Sequence, residues 1–509
     1  MSARNLFVAS MLSALIVFPS AEANAAGETT DASLRSSYSA AETAREDAKT
    51  PAEMLAVIGQ YETLAAAGHA SSALRLGDIY LQGTLVDQDL NKAAANYQRA
   101  VDLGHTLALS KLGRSLLDAG RPEEAFTVYE RAVREGVPGV SIVWAKLHLR
   151  NAFGAKSDPA LGLSELERLW AEGEEQAGVA LAEAYRVGSD GDTELKESIQ
   201  ILERLAQGGD PLATEKLALY YRQGYGVEGD LGKAISLYQE AVAKGRTSAL
   251  IGLGTTQLKA GDGPAALASF QKAQDAGFKD VGLRIAVGHI TKAFGSASNV
   301  QAGIDVLRPA AEAGDANYAK AALDLLADGK KFLLDIPKVM QTAEEAAANG
   351  DGGAASALMK FARQKPRLVD NPVEARKQYL EKYRDILPER ALATEEVALV
   401  FEGRSSRAAR PELSKLLGGY TGDTYQYGLQ QVFFRDKEAY TYLVQQELSK
   451  LGVYSGPVSG RLSSRTIRAI LRFCNSNGIY DECIHGPMRG TAMRQIVDAI
   501  GRARPAVDG

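Results

Sequence analysis

Residues 76–104 read LGDIYLQGTLVDQDLNKAAANYQRAVDLG, and residues 217–245 read LALYYRQGYGVEGDLGKAISLYQEAVAKG. The two stretches align without a gap at one long offset. Tyr80, Gly83, Lys92, Ala93 and Tyr97 fall in register with Tyr221, Gly224, Lys233, Ala234 and Tyr238. In the first, Ala73, Leu76, Gly77 and Tyr80 sit at spacings of 3, 4 and 7, which is one face of a helix, and Gly83 stops it. Leu90, Ala93, Ala94 and Tyr97 repeat that spacing, and the second helix ends at Gly104. Each stretch therefore predicts two helices joined by a turn. Small Gly77 and Ala93 let backbones approach, and the rings of Tyr80 and Tyr97 fill the wider gaps.

A helix-ending glycine recurs along the chain at Gly68, Gly104, Gly136, Gly173, Gly209, Gly245, Gly277, Gly314 and Gly350. The intervals between them follow an irregular series of four, and the same series then repeats. Gly113 and Gly120 match Gly254 and Gly261 at the same long offset, and Ala152-Phe153-Gly154 matches Ala293-Phe294-Gly295. A block of four helix pairs has been duplicated. One pair cannot bury its apolar face alone, but stacked pairs shield one another, so the pattern predicts an α-solenoid with an extended concave surface.

Leu76-Gly77-Asp78-Ile79-Tyr80-Leu81-Gln82-Gly83, followed by Asn91-Lys92-Ala93 and Tyr97, resembles a Sel1-like repeat, a relative of the tetratricopeptide repeat. Tyr221-Arg222-Gln223-Gly224-Tyr225-Gly226-Val227, with Asp230, Lys233-Ala234 and Tyr238, is similar at more positions. The shorter units, with the turn Ala119-Gly120-Arg121-Pro122-Glu123-Glu124-Ala125, look like plain tetratricopeptide repeats. The resemblance spans residues 51–390. It implies a protein-binding adaptor of bacterial envelope processes, such as exopolysaccharide assembly, export or its regulation, with envelope proteins along the concave face. Residues 391–435 read as degenerate helical repeats and a connector.

The last segment, 436–509, changes character. Leu451-Gly452, Tyr454, Gly456, Gly460, Thr466, Ala469-Ile470 and Phe473 resemble the pattern of a small three-helix peptidoglycan-binding-like domain. Ser459, Ser463 and Cys474 stand where that family has Asp, Gly and Gln. The whole chain is thus expected to be all-α: a solenoid of Sel1-like and tetratricopeptide helix pairs followed by a three-helix domain. Tyr454, Arg461, Arg465, Thr466 and Arg468 are the candidate contacts for a glycan or a partner. Arg461, Arg465, Arg468, Arg472 and Arg489 make the module locally basic, either as a solvated helix face or as a site for peptidoglycan or an anionic polysaccharide. The alternative for the module as a whole is docking on the solenoid or on a partner protein.

The N-terminus carries Arg4, an apolar run from Leu6 to Phe18 and the small-residue site Ala23-Asn24-Ala25. This is the pattern of a secretory signal peptide over residues 1–25, cleaved near Ala25. No Cys lies nearby for a lipid anchor, and no later apolar run is long enough to span a membrane. The expectation is an exported protein of the Gram-negative periplasm with no membrane span after cleavage. Residues 26–50, rich in Ser, Thr, Ala, Asp and Glu, are expected as a flexible lead. The chain's two cysteines, Cys474 and Cys483, are expected to pair in an oxidising compartment.

A formal net charge of −5 argues against a general nucleic-acid binder, which needs a basic face. Of the five histidines, His148 and His289 are related by the duplication offset, and His69 and His105 follow repeat glycines. Copying with a structural block marks them as structural. No nucleophile elbow, zinc-binding helix or phosphate-binding loop occurs, and Gly224-Tyr225-Gly226 lies between helices, not after a strand. Two cysteines with His485 lack the ligand spacing of a zinc site. The sequence points to no cofactor, no metal and no catalysis. It points to a scaffold, with a peptidoglycan-binding protein that recruits cell-wall factors as the alternative.

Overall fold

The computed structural model describes residues 21–188 and 192–504. Among these residues there are 27 α-helices and no β-strand. The chain divides into two compact units, residues 1–246 and 247–509, and helix pairs build the repeat region of each. In the first unit the pairs are Ala70–Gln82 with Leu90–Asp102, Ala108–Asp118 with Pro122–Arg134, Val140–Leu149 with Pro159–Ala171, Glu175–Gly188 with Asp192–Gln207, and Pro211–Gln223 with Leu231–Ala243. In the second they are Ala249–Lys259 with Gly263–Asp275, Val281–Thr291 with Val300–Glu312, Ala316–Ala327 with Ile336–Ala348, and Gly352–Gln364 with Pro372–Tyr383. This is the α-solenoid architecture the repeat spacing predicts.

The repeat glycines mark the ends of second helices for a backbone reason. All nine have positive φ, between 67° and 98°. Gly104 N–H donates to Val101 O at 2.9 Å and His105 N–H donates to Ala100 O at 2.9 Å, and the same two bonds recur at every one of the nine. That left-handed cap satisfies the last carbonyls of the helix, and only glycine adopts it without strain. The duplicated starts are equally regular. The side chains of Asp89 and Asp230 accept the N–H groups of Lys92 and Lys233, each at 2.9 Å.

Packing within a pair relies on a missing side chain. A Cβ on Gly77 would lie 2.5 Å from the ring of Tyr97, one on Gly113 2.6 Å from Tyr129, and one on Gly254 2.7 Å from Phe270. Each ring is buried against the bare backbone of the preceding helix. Burial of such a ring contributes about 2 kcal/mol or more.

Two expectations are corrected. In place of a flexible lead over 26–50, the helix Ala21–Asp47 runs almost to the start of the next helix, Pro51–Ala66. Its Leu34, Tyr38, Ala41 and Ala44 pack onto the first core. These four make an apolar stripe at helical spacing, which the polar composition of the segment conceals. Thr50 and Glu53 then cap the following helix reciprocally.

The second correction concerns residues 391–435, expected as degenerate repeats and a connector. They lie in the helices Glu389–Phe401, Ser406–Gly418 and Gly422–Arg435. Val397, Leu413, Leu429 and Val432 share one core with Val444, Ile470, Met493 and Ile496. The last four belong to the C-terminal module, whose helices are Lys437–Lys450, Ser464–Ser476, the short Tyr480–Ile484 and Gly490–Ala503. Residue 436 is therefore no packing boundary, because the core runs from Ala393 to Ile500. Residues 1–20 of the expected signal peptide lie outside the described residues.

Candidate functional site

The two sides of the stacked pairs differ in chemistry. Along the first helices, charges from neighbouring repeats pair with one another. Arg75 Nε donates to Glu42 Oε1 at 2.9 Å, Arg75 Nη1 to Asp78 Oδ2 at 3.3 Å, and Lys111 Nζ to Asp78 Oδ1 at 2.6 Å. Tyr61 and Tyr97 donate their hydroxyls to Glu42 and Asp78 at 2.7 and 2.8 Å. Burial raises the Tyr97 pKa and acceptance by Asp78 raises it further, so the phenol stays protonated. Burial alone would raise the Glu42 pKa, but the Tyr61 and Tyr38 hydroxyls and the Arg75 and Arg45 guanidiniums bring it below the usual carboxylate value. In the second unit Lys320 pairs with Asp351 at 3.0 Å and Lys360 with Asp324 at 3.1 Å. Pairs this exposed add little stability.

Second helices enclose grooves, and a 340 Å³ groove also opens beside the first helix Gly352–Gln364, lined by Met359, Lys360 and Arg363. In the first unit, Leu90–Asp102 and Pro122–Arg134 form the walls of a 430 Å³ cavity whose floor includes Leu112 and Leu116. Exposed Ala95, Gln98 and Thr127 line it too. In the second unit, a 480 Å³ cavity between Ile336–Ala348 and Pro372–Tyr383 is lined by Met340, Leu368, Val369 and Tyr379. Leu368 is exposed. An apolar floor with a polar rim suits side chains of a bound polypeptide.

The C-terminal module distributes the five sequence candidates unevenly. Tyr454 is only 5 % exposed and donates its hydroxyl to Pro457 O at 2.9 Å. Thr466 is fully buried. Neither is available to a glycan, and both support the loop between the first two helices of the module. Arg461, Arg465 and Arg468 are exposed. Sequence reasoning missed the residue that organises this loop. Gln445, fully buried, accepts Ser459 N–H at 2.9 Å and Gly460 N–H at 2.8 Å. Its amide donates to Thr466 Oγ1 at 2.9 Å and Arg461 O at 3.1 Å. Only the burial of a helical Gln beside a Gly-rich loop would have signalled it. Arg410 adds a bond to Ser459 O at 2.8 Å. Cys474 and Cys483 are bonded to each other and buried.

The copied histidines are structural. His148 Nδ1 accepts Asp158 N–H at 2.8 Å, and His289 Nδ1 accepts Asn299 N–H at 3.1 Å. In both copies of the block, the ring ties the loop to the capping residue of the next helix. Burial lowers the pKa of both rings, with Asp158 opposing the shift at His148. Among the described residues, no group of three or more His, Cys, Asp or Glu side chains could hold a metal ion, and no helix is long and apolar enough to cross a membrane.

Residues 70–105 and 211–245 match the family model of the Sel1 repeat. No curated protein matches the chain. Several solved structures are similar to it. One is c5321, a protective antigen of uropathogenic Escherichia coli strains displaying an SLR fold, at 17% identity over 88% of this chain and 94% of that one, with a TM-score of 0.35. A Sel1 repeat protein from Oxalobacter formigenes is 22% identical over 60% of this chain and 92% of its own, with a TM-score of 0.36. Yeast Tom70 is 11% identical over 82% of this chain and 97% of its own, with a TM-score of 0.36.

Proposed function

We propose that this chain, which carries Sel1 repeats at residues 70–105 and 211–245, is a non-catalytic periplasmic scaffold that holds protein partners during a cell-envelope process such as exopolysaccharide assembly, export or its regulation. Sel1 repeats serve protein–protein binding, as stacked helix pairs in general do. The observation that carries the reading is the groove above Leu112 and Leu116, open between two second helices and large enough for several side chains. Its rim carries Asn91, Gln98, Arg121 and Glu124 around the apolar Leu112 and Leu116, polar groups that the backbone of a bound polypeptide can meet. Support for export comes from the apolar run Leu6–Phe18 and from a pair of bonded cysteines.

Ala95→Arg fills the groove from an exposed helix position and leaves the core alone. Envelope extracts passed over the wild-type protein should leave a specific partner that Ala95→Arg fails to retain. A partner held equally by both, or none held by either, removes this reading. The alternative, a peptidoglycan-binding protein that recruits cell-wall factors, rests on the C-terminal module. With Tyr454 and Thr466 buried, it would have to use the arginines, and co-sedimentation of the full chain with purified sacculi tests it.

A further inference from the structure

The arginines of the C-terminal module differ from the charge clusters discussed above, because the stretch of sequence that carries them holds no acid. Residues 451–480 contain Arg461, Arg465, Arg468 and Arg472 and neither Asp nor Glu, in a chain whose net charge is −5. Arg465, Arg468 and Arg472 are spaced 3 and 4 along the helix Ser464–Ser476, which puts them on one face over about 10 Å. All four are exposed. Arg472 Nη2 donates to Val453 O at 2.9 Å. The stem of Arg465 lies against Gly456, where a Cβ would come within 2.8 Å of its Cδ. The stripe therefore borders the loop 453–460, which Gln445 holds from beneath. Arg461, Arg465 and Arg468 make no ion pair among the described residues. The first-helix side, by contrast, pairs its charges.

We infer that this arginine stripe is a binding site for a carboxylated polysaccharide. Four planar guanidinium forks and no lysine suit carboxylates, which they grip in bidentate fashion. The exposed hydroxyls of Ser455 and Ser464 stand along the same loop and helix start and can meet sugar hydroxyls. Of the aromatic rings within residues 451–480, Tyr454 and Phe473 are buried and Tyr480, past the end of the helix, is exposed; between Arg461 and Arg472 there is no ring on which nucleic-acid bases could stack. The site shares no residue with the groove over Leu112, so either assignment can fail without the other.

The test measures binding of the full chain to immobilised polygalacturonate at low ionic strength, with neutral pullulan, single-stranded DNA, polyglutamate and anionic phosphatidylglycerol vesicles as comparison probes. Wild type should bind polygalacturonate and should not bind pullulan. Arg465→Gln with Arg468→Gln should weaken binding about tenfold, while the lysine pair R465K and R468K, which keeps charge but loses the forks, should weaken it about threefold. Unchanged melting curves show that both variants fold. No binding by the wild type, no loss in the glutamine pair, or equal binding to DNA, polyglutamate or vesicles overturns the assignment.

Discussion

The ring of Tyr97 rests on the bare backbone of Gly77, so close that a Cβ at position 77 would stand 2.5 Å from Cε1. Alanine in place of a mid-helix glycine ordinarily stabilises by about 1 kcal/mol. Here the buried ring has no room to retreat, and overpacking wins. Gly77→Ala should destabilise the first unit by about 1–3 kcal/mol. The shift of its thermal transition in calorimetry reads this out, and a rise in melting temperature would show that the ring can move.

Gly104 tests the cap alone. Its φ is 91° and a Cβ there meets nothing within 4 Å, so any cost is backbone strain. Gly104→Ala should cost about 1 kcal/mol, and Gly104→Asn less, because Asn tolerates the left-handed region better. Denaturant midpoints of the two variants rank them.

His148 and His289 should make stability depend on pH. Each is needed neutral, as the acceptor of a backbone N–H, and burial holds each pKa below the ordinary histidine value. The unfolded chain then binds more protons, so this contribution is complete above the unfolded pKa, about 6.5, and is lost as pH falls through the lower folded values. Replacing both with Gln, whose amide oxygen can accept the same bond without titrating, should flatten the melting temperature between about pH 7 and pH 5. An unaltered pH profile would show that these rings do not govern it.

Gln445→Leu should leave Ser459 N–H and Gly460 N–H without an acceptor beneath the loop. The expected cost is about 2–4 kcal/mol, with faster amide exchange confined to residues 453–461. Breaking the Cys474–Cys483 bond by a double Ala substitution should cost about 2–3 kcal/mol, given the short loop it closes.

The repeat region was legible because its rules are local. A left-handed cap demands glycine, so Gly68 to Gly350 announce the pairs as far as Ala348, and the register between the two blocks exposes the duplication. The helix Ala21–Asp47 was hidden because its stripe uses Leu34, Tyr38 and small alanines among polar residues, and composition masks such spacing. The candidate contacts Tyr454 and Thr466 misled because a family pattern records residues that build a loop as well as those that touch a ligand. Arg461, Arg465 and Arg468 are the exposed remainder. Gln445 and Arg410 both reach Ser459 from distant parts of the chain. Such remote polar contacts leave no periodic trace.

The central claim is that successive helix pairs, each ended by a left-handed glycine, make up residues 51–350. Amide hydrogen exchange resolved along the chain tests it most directly. Slow segments should match the helices, with fast connectors at 84–88 and again at 226–229, and protection should break after each of the nine glycines. Protection running unbroken through Gly104 and Gly245, or slow exchange in both connectors, would contradict it.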